Sequence, residues 1–131
     1  PAVILVSYSF TSIPAYYKHF KSGSGFTSVK FTNSPTIAEA EDKLKGKIIY
    51  TNDLFLLKIF SGFKEIKLLP TVKNSSSLRN ISFEIIKGKA AIIYLDNVNW
   101  RNYIVSKESL LRSFESYRIR NYKDGIIISG E

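Results

Sequence analysis

Short apolar runs alternate with amphipathic segments along this chain of 131 residues. The runs are rich in Ile, Val and Leu and have the length of strands, and they cover residues 2–8, 26–32, 47–51, 65–69, 90–95 and 125–129. Several of them are continuously apolar, which is typical of strands covered on both faces. The run over 26–32 alternates instead, and it therefore predicts a strand at a sheet edge.

The segments between these runs carry the signals that begin and end helices. A residue with a capping side chain precedes each apolar stripe, and a glycine follows most of them. The pattern predicts helices over 37–45, 54–61 and 78–87, with Thr36 and Glu39 as a capping box for the first of these. A further helix begins at Thr11 or Ser12. The last helix follows Ser106 and is expected to continue beyond residue 117.

The alternation of strand and helix predicts the fold class. Repeated βα units in a short chain favour an α/β fold with a mainly parallel sheet of five to six strands and helices on both faces. We therefore expect a three-layer, Rossmann-like arrangement. The length is suited to a single domain over residues 1–131.

The amino-acid composition restricts the kind of protein that this chain can be. Hydrophobic residues make up 44% and charged residues 23% of the chain, which is ordinary globular usage. Cysteine is absent, which excludes disulfides and thiolate metal sites and suits a reducing interior. No apolar run approaches the roughly 18–20 residues that span a bilayer, so we expect a cytoplasmic protein with no membrane partner. The Ile- and Lys-rich composition suits a thermophile or an AT-rich genome.

The first predicted strand–helix connection, residues 7–14, reads Ser-Tyr-Ser-Phe-Thr-Ser-Ile-Pro. A phosphate-binding loop needs glycines, which let backbone amides approach the phosphates, and a Lys followed by Ser or Thr. This connection has neither Gly nor Lys, and no GxGxxG occurs elsewhere in the sequence. Nucleotide binding of either standard kind is disfavoured, and we expect no cofactor.

Polar residues follow most of the predicted strands, among them the acids Asp53, Asp96 and Glu131. Ligands of open α/β sheets bind at the carboxyl ends of strands, so converging acids could hold Mg²⁺. The favoured interpretation is that such residues cap helices and turns. His19 is the only histidine. Without a second imidazole or a nucleophile motif it predicts neither a metal site nor a catalytic triad.

Lys and Arg outnumber Asp and Glu by 19 to 11, giving a formal net charge of +8. On the last predicted helix, helical spacing puts Arg112, Ser116, Arg120 and Lys123 on one face. We expect exposed aromatic side chains nearby in sequence, namely Trp100, Tyr103 and Tyr122. Basic side chains interleaved with aromatics are typical of surfaces that follow a phosphate backbone and stack bases. The alternative is an ordinary solvated helix face. The candidate nucleic-acid-binding residues are Arg112, Arg120, Lys123, Lys18, Lys21 and, as a stacking residue, Trp100.

From about Phe26 to the C-terminus, the chain resembles an archaeal domain family. The residues that carry the resemblance are Gly25-Phe26, Asn33-Ser34-Pro35, Ile48-Ile49-Tyr50-Thr51, Leu69-Pro70, Ile92-Ile93-Tyr94-Leu95-Asp96, Leu110-Leu111, Phe114 and the run 125–130. Members are similar to a RecA- or KaiC-type ATPase core that lacks its phosphate-binding loop. The resemblance implies a degenerate RecA-like fold and transfers no catalytic residue. Two positions depart from the pattern of this family. The chain has Asn97 where the family pattern has a glycine, and Asn33 where it has a basic residue.

The preferred hypothesis is a non-enzymatic binding module that contacts DNA or RNA through a basic face. The alternative is a protein–protein adaptor or regulatory domain, derived from an ATPase core and lacking ATPase activity. It would pair with a partner or a second copy through the edge strand over 26–32. An enzyme would require Asp53, Asp96 and Glu131 to converge on a pocket.

Overall fold

The protein is described by a computed structural model that covers residues 29–98 and 100–130. Its contacts divide the chain into two units, Pro1–Asn33 and Ser34–Glu131, and the second unit holds every strand described below. The predicted strand 2–8, the helix that starts at Thr11 or Ser12, and the residues Lys18, His19, Lys21 and Glu131 lie outside the described residues. The single-domain assignment stays a prediction.

The predicted edge strand over 26–32 is wrong for its described part. Helix α1, Val29–Thr32, occupies this position in the first unit. In so short a segment, alternation of apolar and polar residues does not distinguish a β-strand from a single turn of helix.

The second unit contains a five-stranded sheet in the order β2-β1-β3-β5-β4. Its strands are β1 (Ile48–Thr51), β2 (Ile66–Leu68), β3 (Ala90–Leu95), β4 (Arg118–Tyr122) and β5 (Gly125–Ser129). Strand β1 pairs in parallel with β2 and β3, whereas β5 is antiparallel to β3 and β4. The α/β class is confirmed, and so are the four predicted strands that correspond to β1, β2, β3 and β5. The sheet is mixed, not mainly parallel, because a two-residue turn joins β4 to β5 and such a turn connects antiparallel strands.

Strand β4 was not predicted, because the spacing of Leu110, Phe114 and Tyr117 suggested that the last helix continued through it. Helix α5, Lys107–Ser113, instead ends with Phe114 as its C-cap. The segment Arg118–Tyr122 pairs with β5 along its whole length, and its Ile119 packs against the core cluster. The predicted basic face of one long helix is therefore wrong.

The other helices of the second unit are α2 (Pro35–Lys43), α3 (Leu54–Phe60) and α4 (Leu78–Ile86), and a 3₁₀ segment, Val72–Ser77, precedes α4. The predicted caps Asp53 and Ser106 are confirmed, since their side chains accept backbone N–H groups of α3 and α5. Helix α2 is capped by Ser34 instead of Thr36, whose hydroxyl binds Asp124. Ser77, the residue before α4, forms no side-chain cap. In the described part of the chain, no helix is long and apolar enough to cross a membrane.

The core lies around the central strands β3 and β5, which are buried on both faces. On one face, Ile126 and Ile128 of β5 pack in a cluster with side chains of α4 and α5. The alternate side chains Ile93 and Ile127 are buried as well, and α2 contacts both strands. Gly125 lets the strands approach closely, because a Cβ there would lie 2.3 Å from the carbonyl oxygen of Tyr94.

Candidate functional site

The carboxyl ends of β1 and β3 meet at one edge of the sheet, together with the turn between β4 and β5. Buried Asn52 joins the two strand ends, since its Nδ2 donates to the Leu95 carbonyl at 2.9 Å and its Oδ1 accepts the Leu95 N–H at 2.8 Å. The acids Asp53, Asp96 and Asp124 follow these strand ends. We call this region the carboxyl edge.

Asp53 is fully buried and has two structural partners. Its Oδ1 accepts the N–H groups of Phe55 and Leu56 at 3.0 and 3.1 Å, which caps α3. Its Oδ2 accepts from Nε of Arg101 at 3.0 Å, and that side chain is only 16% exposed. The hydrogen bond that Arg101 donates to Asp53 is the main cause that raises the pKa of Arg101. The favoured capping interpretation is thus confirmed for Asp53.

The other two acids at this edge also have partners. The Nζ of Lys107 lies 2.8 and 2.9 Å from the two carboxylate oxygens of Asp96. Asp124 accepts hydrogen bonds from the hydroxyls of Ser34 and Thr36. Among the described residues, no group of three or more His, Asp or Glu side chains could hold a metal ion. Asp53, Asp96 and Asp124 thus each satisfy a local charge or donor.

Arg101 also organises a set of exposed aromatic side chains. Its Cζ lies 6.0 Å from the ring centroid of Phe55, and its Nη1 donates to the Tyr103 hydroxyl at 2.7 Å. Phe55 is 60% exposed and Tyr103 is 48% exposed, while Trp100, next to Arg101 in the chain, is 49% exposed. We call Phe55, Trp100, Arg101 and Tyr103 the aromatic platform. Trp100 was a predicted stacking residue and Tyr103 one of the aromatics predicted to lie exposed near the basic residues, whereas Phe55 and Arg101 were not identified from the sequence.

A second surface lies between α4 and α5, where two adjoining cavities have volumes of about 540 and 630 Å³. They share Leu78 and Ser113 as lining residues. The remaining lining residues are Val72, Ser76, Arg79, Ser82, Val105, Ser106, Ser109, Arg112 and Phe114. No carboxylate is among these residues. We call this surface the arginine–serine groove.

The two arginines of the groove are exposed, and neither takes part in a salt bridge of the described residues. Glu108, one turn before Arg112, has a pKa lowered mainly by hydrogen bonds from its own backbone and Ser106, and further by the charges of Lys107 and Arg112. Each guanidinium offers five N–H donors in a planar fork that matches a phosphate group. The serine hydroxyls add further donors. The groove therefore has the chemistry of an anion-binding surface.

The groove and the aromatic platform adjoin each other. Val72 lines the groove, and its N–H donates to the carbonyl of Tyr103 at 3.0 Å. The N–H of Val105, which also lines the groove, donates to the Pro70 carbonyl at 3.0 Å. The segment 103–105 is thereby fixed beside 70–72, which places the backbone of the platform residue Tyr103 next to Val72 of the groove.

The predicted basic residues do not share a face. Arg112 lies in the groove on α5. Arg120 pairs with Ile127 of β5, whereas its neighbour Ile119 pairs with Ile128 and packs in the cluster beneath α5. Because directly paired residues lie on one face of a sheet and neighbours alternate, Arg120 lies on the face opposite α5. Exposed Lys123 lies in the turn between β4 and β5.

Arg79 is a groove residue that the sequence reasoning missed. The sequence predicts an apolar stripe of Leu78, Ile81, Ile85 and Ile86 on α4. The stripe is confirmed for the first three residues, whereas Ile86 is 66% exposed. Arg79 is exposed outside that stripe. Nothing in the sequence places α4 beside α5, so the two arginines are brought together only by tertiary packing.

Comparison with protein-family models, with curated proteins and with solved structures finds no match for this chain. The resemblance to an ATPase core without its phosphate-binding loop stays a prediction. Function is therefore inferred from the contacts, the charges and the exposed surfaces.

Proposed function

We propose that this chain is a non-enzymatic binding module for nucleic acid and that the arginine–serine groove receives the phosphate backbone. The observation that carries the proposal is that Arg79 and Arg112 line two adjoining cavities together with serine side chains, and that none of the described lining residues is an acid. A net charge of +8 supports attraction of phosphate polymers over longer distances.

The charges of neighbouring regions support the choice of this surface. At the carboxyl edge, Arg101 and Lys107 are held by Asp53 and Asp96, so their charge is largely neutralised within the protein. On β4, Arg120 lies close enough to Glu39 to help lower the pKa of that carboxyl, which is lowered mainly by the hydrogen bond from Lys43. None of the described residues that line the groove is an acid, and the neighbouring acid Glu108 lies one turn before Arg112 on α5, where the charge of Arg112 helps to lower its pKa.

The proposal is tested by fluorescence anisotropy with labelled DNA and RNA oligonucleotides and the full chain. We expect the variant Arg79→Ala/Arg112→Ala to bind at least about tenfold more weakly than the wild type, since each arginine contacts phosphate. The matched control is Lys45→Ala/Lys64→Ala, which removes the same charge from a different cavity that Glu41 also lines. Equal losses in the two variants would show that binding follows net charge only and would overturn the assignment of the groove.

A second candidate function, the protein-interaction module, is favoured by a separate observation. Exposed apolar side chains lie on two helices, Phe55 and Ile59 on α3 and Phe83 and Ile86 on α4, each 51–66% exposed. Large exposed apolar side chains in groups are typical of interaction surfaces. A solution mass well above 14.9 kDa, lowered by Phe83→Ser/Ile86→Ser, would favour self-association through α4.

The finer fold assignment and the cellular location are also proposals. A three-layer core derived from a RecA-like ATPase is supported by the parallel strands β2, β1 and β3 and by side chains of β3 and β5 buried on both faces. The absence of cysteine supports a cytoplasmic protein. Thermal stabilisation by Mg²⁺ would contradict the non-enzymatic assignment, because it would reveal a cation site.

A further inference from the structure

The aromatic platform has three side chains that are largely exposed, and one of them, Tyr103, belongs to a segment that lies beside the groove. Phe55, Trp100 and Tyr103 are each about half exposed or more, at 60, 49 and 48%. Aromatic rings are usually buried because burial of a large ring is favourable. Their exposure beside a basic groove is the arrangement that stacks nucleobases, since every base has a π-face and stacking tolerates any sequence.

The platform is held in position before any ligand binds. Arg101 is fixed by Asp53, which is itself buried and fixed as the cap of α3. The Nη1 of Arg101 then holds the hydroxyl of Tyr103, and its guanidinium lies 6.0 Å from the Phe55 ring centroid. Arg101 is therefore a positioning residue, which limits the freedom that Tyr103 loses when a base stacks on it.

The order of the two surfaces restricts the kind of nucleic acid that fits. Val72 and Tyr103 are joined by a backbone hydrogen bond of 3.0 Å, so the backbone of Tyr103 lies beside the groove. We therefore expect a strand whose phosphates lie in the groove to bring its next bases near Tyr103. In a duplex those bases are already paired and stacked inside the helix, and an exposed ring can reach them only after they unpair.

We infer that the ligand is single-stranded nucleic acid, whose phosphates bind Arg79 and Arg112 while its bases stack on the aromatic platform. This inference rests on the proposed function, because it assigns the ligand class of the same groove. A protein partner on the exposed rings, or a duplex bound by its phosphates only, is a different outcome of the experiment below.

The experiment compares three labelled oligonucleotides of equal length: a base-bearing single strand, the same strand in a duplex, and a single strand of abasic sites. The abasic strand keeps the phosphates and removes the bases. With the wild-type chain we expect the base-bearing strand to bind about tenfold tighter than the abasic strand. We expect it to bind more tightly than the duplex as well. The only Trp of the chain, Trp100, should be quenched by the base-bearing strand and not by the abasic one.

Variants separate the two surfaces. Tyr103→Ala should lower the affinity for the base-bearing strand about tenfold and leave the abasic strand unchanged. Tyr103→Phe keeps the ring and should retain most of the affinity, although it loses the hydrogen bond with Arg101. Because Tyr103 is about half exposed, at 48%, its removal should leave the fold intact, which circular dichroism checks.

Three results would overturn the inference: equal binding of base-bearing and abasic strands, tighter binding of the duplex, or no effect of Tyr103→Ala. Any of these with a loss in Arg79→Ala/Arg112→Ala would leave the groove as a phosphate site and remove only the single-strand assignment. Absence of binding to all three oligonucleotides would instead overturn the proposed function itself. Failure of the inference and failure of the proposed function thus give different results.

Discussion

The carboxyl edge and the arginine–serine groove both carry charged side chains but differ in the partners that those charges have. At the carboxyl edge each of Asp53, Asp96 and Asp124 has a partner within the second unit. In the groove, Arg79 and Arg112 face hydroxyls, and none of the described lining residues is an acid. In this protein, a charged side chain therefore indicates a ligand site when it has no oppositely charged partner within the protein. Its position at the end of a strand is not enough.

The acid of α4 shows the same distinction. Glu84 lies on the same helix as Arg79, but its Oε2 accepts the hydrogen bond of the Tyr50 hydroxyl at 2.7 Å. The carboxylate is thereby directed towards β1. Glu84 is only five residues from Arg79 in the chain, but its carboxylate binds Tyr50 of β1 and is not among the described residues that line the groove. The described lining of the groove therefore stays positively charged.

The largest effect is expected from breaking the buried pair of the carboxyl edge. Asp53→Ala removes the cap of α3 and leaves the largely buried Arg101 without its carboxylate. The loss of one member of a buried pair costs about 3–5 kcal/mol, and we expect a decrease of that size in the free energy of unfolding, measured by urea denaturation. The control Asp96→Ala breaks a partly exposed pair with Lys107 and should cost at most about 1 kcal/mol. Equal small losses would show that the edge is not stabilised by burial of Asp53.

A smaller effect is expected on oligonucleotide binding when Arg112 and Arg120, which the sequence placed on one predicted face, are reversed in charge separately. Arg112→Glu reverses a charge in the groove, whereas Arg120→Glu reverses one on the opposite face of the sheet. We expect Arg112→Glu to weaken binding of a labelled oligonucleotide by about 1–3 kcal/mol, and Arg120→Glu to change it less than threefold (about 0.6 kcal/mol). Affinities are measured by anisotropy at one salt concentration. Equal losses would mean that no particular face is used.

The smallest effect concerns Tyr50 and appears only in alkali. Burial, and then the hydrogen bond with Glu84, raise the pKa of Tyr50 from 10.0 to about 12. The folded state therefore favours the neutral phenol. The stability that this provides is complete below pH 10 and is lost as the pH rises through about 12. The difference in unfolding free energy between wild type and Tyr50→Phe should shrink over that interval. A constant difference would contradict the raised pKa.

Much of the fold follows from local patterns. Strands β3 and β5 were predicted from their continuous apolar runs, which are typical of strands covered on both faces. The caps Asp53 and Ser106 were predicted because their side chains satisfy free amides within one turn. In each of these cases the signal and the structure involve neighbouring residues, so the sequence suffices.

The errors arose where distant residues decide the structure. Arg118–Tyr122 is a strand because it pairs with β5. The helical spacing of the residues before it led to the prediction that the helix continued through this segment. The antiparallel direction of β5 depends on the tight turn at residues 123–124, which was not identified. The groove was missed because Arg79 and Arg112 are 33 positions apart in the chain and meet only when α4 and α5 pack on the same face of the sheet.

The most direct test of the central claim is the salt dependence of oligonucleotide binding by the wild type and Arg79→Ala/Arg112→Ala. Each phosphate contact contributes about 0.7 to the slope of log affinity against log salt for a single strand. We therefore predict that the slope of the double variant is shallower by roughly 1.4, while that of Lys45→Ala/Lys64→Ala is unchanged. Parallel lines for wild type and double variant would show that the arginine–serine groove does not contact phosphate.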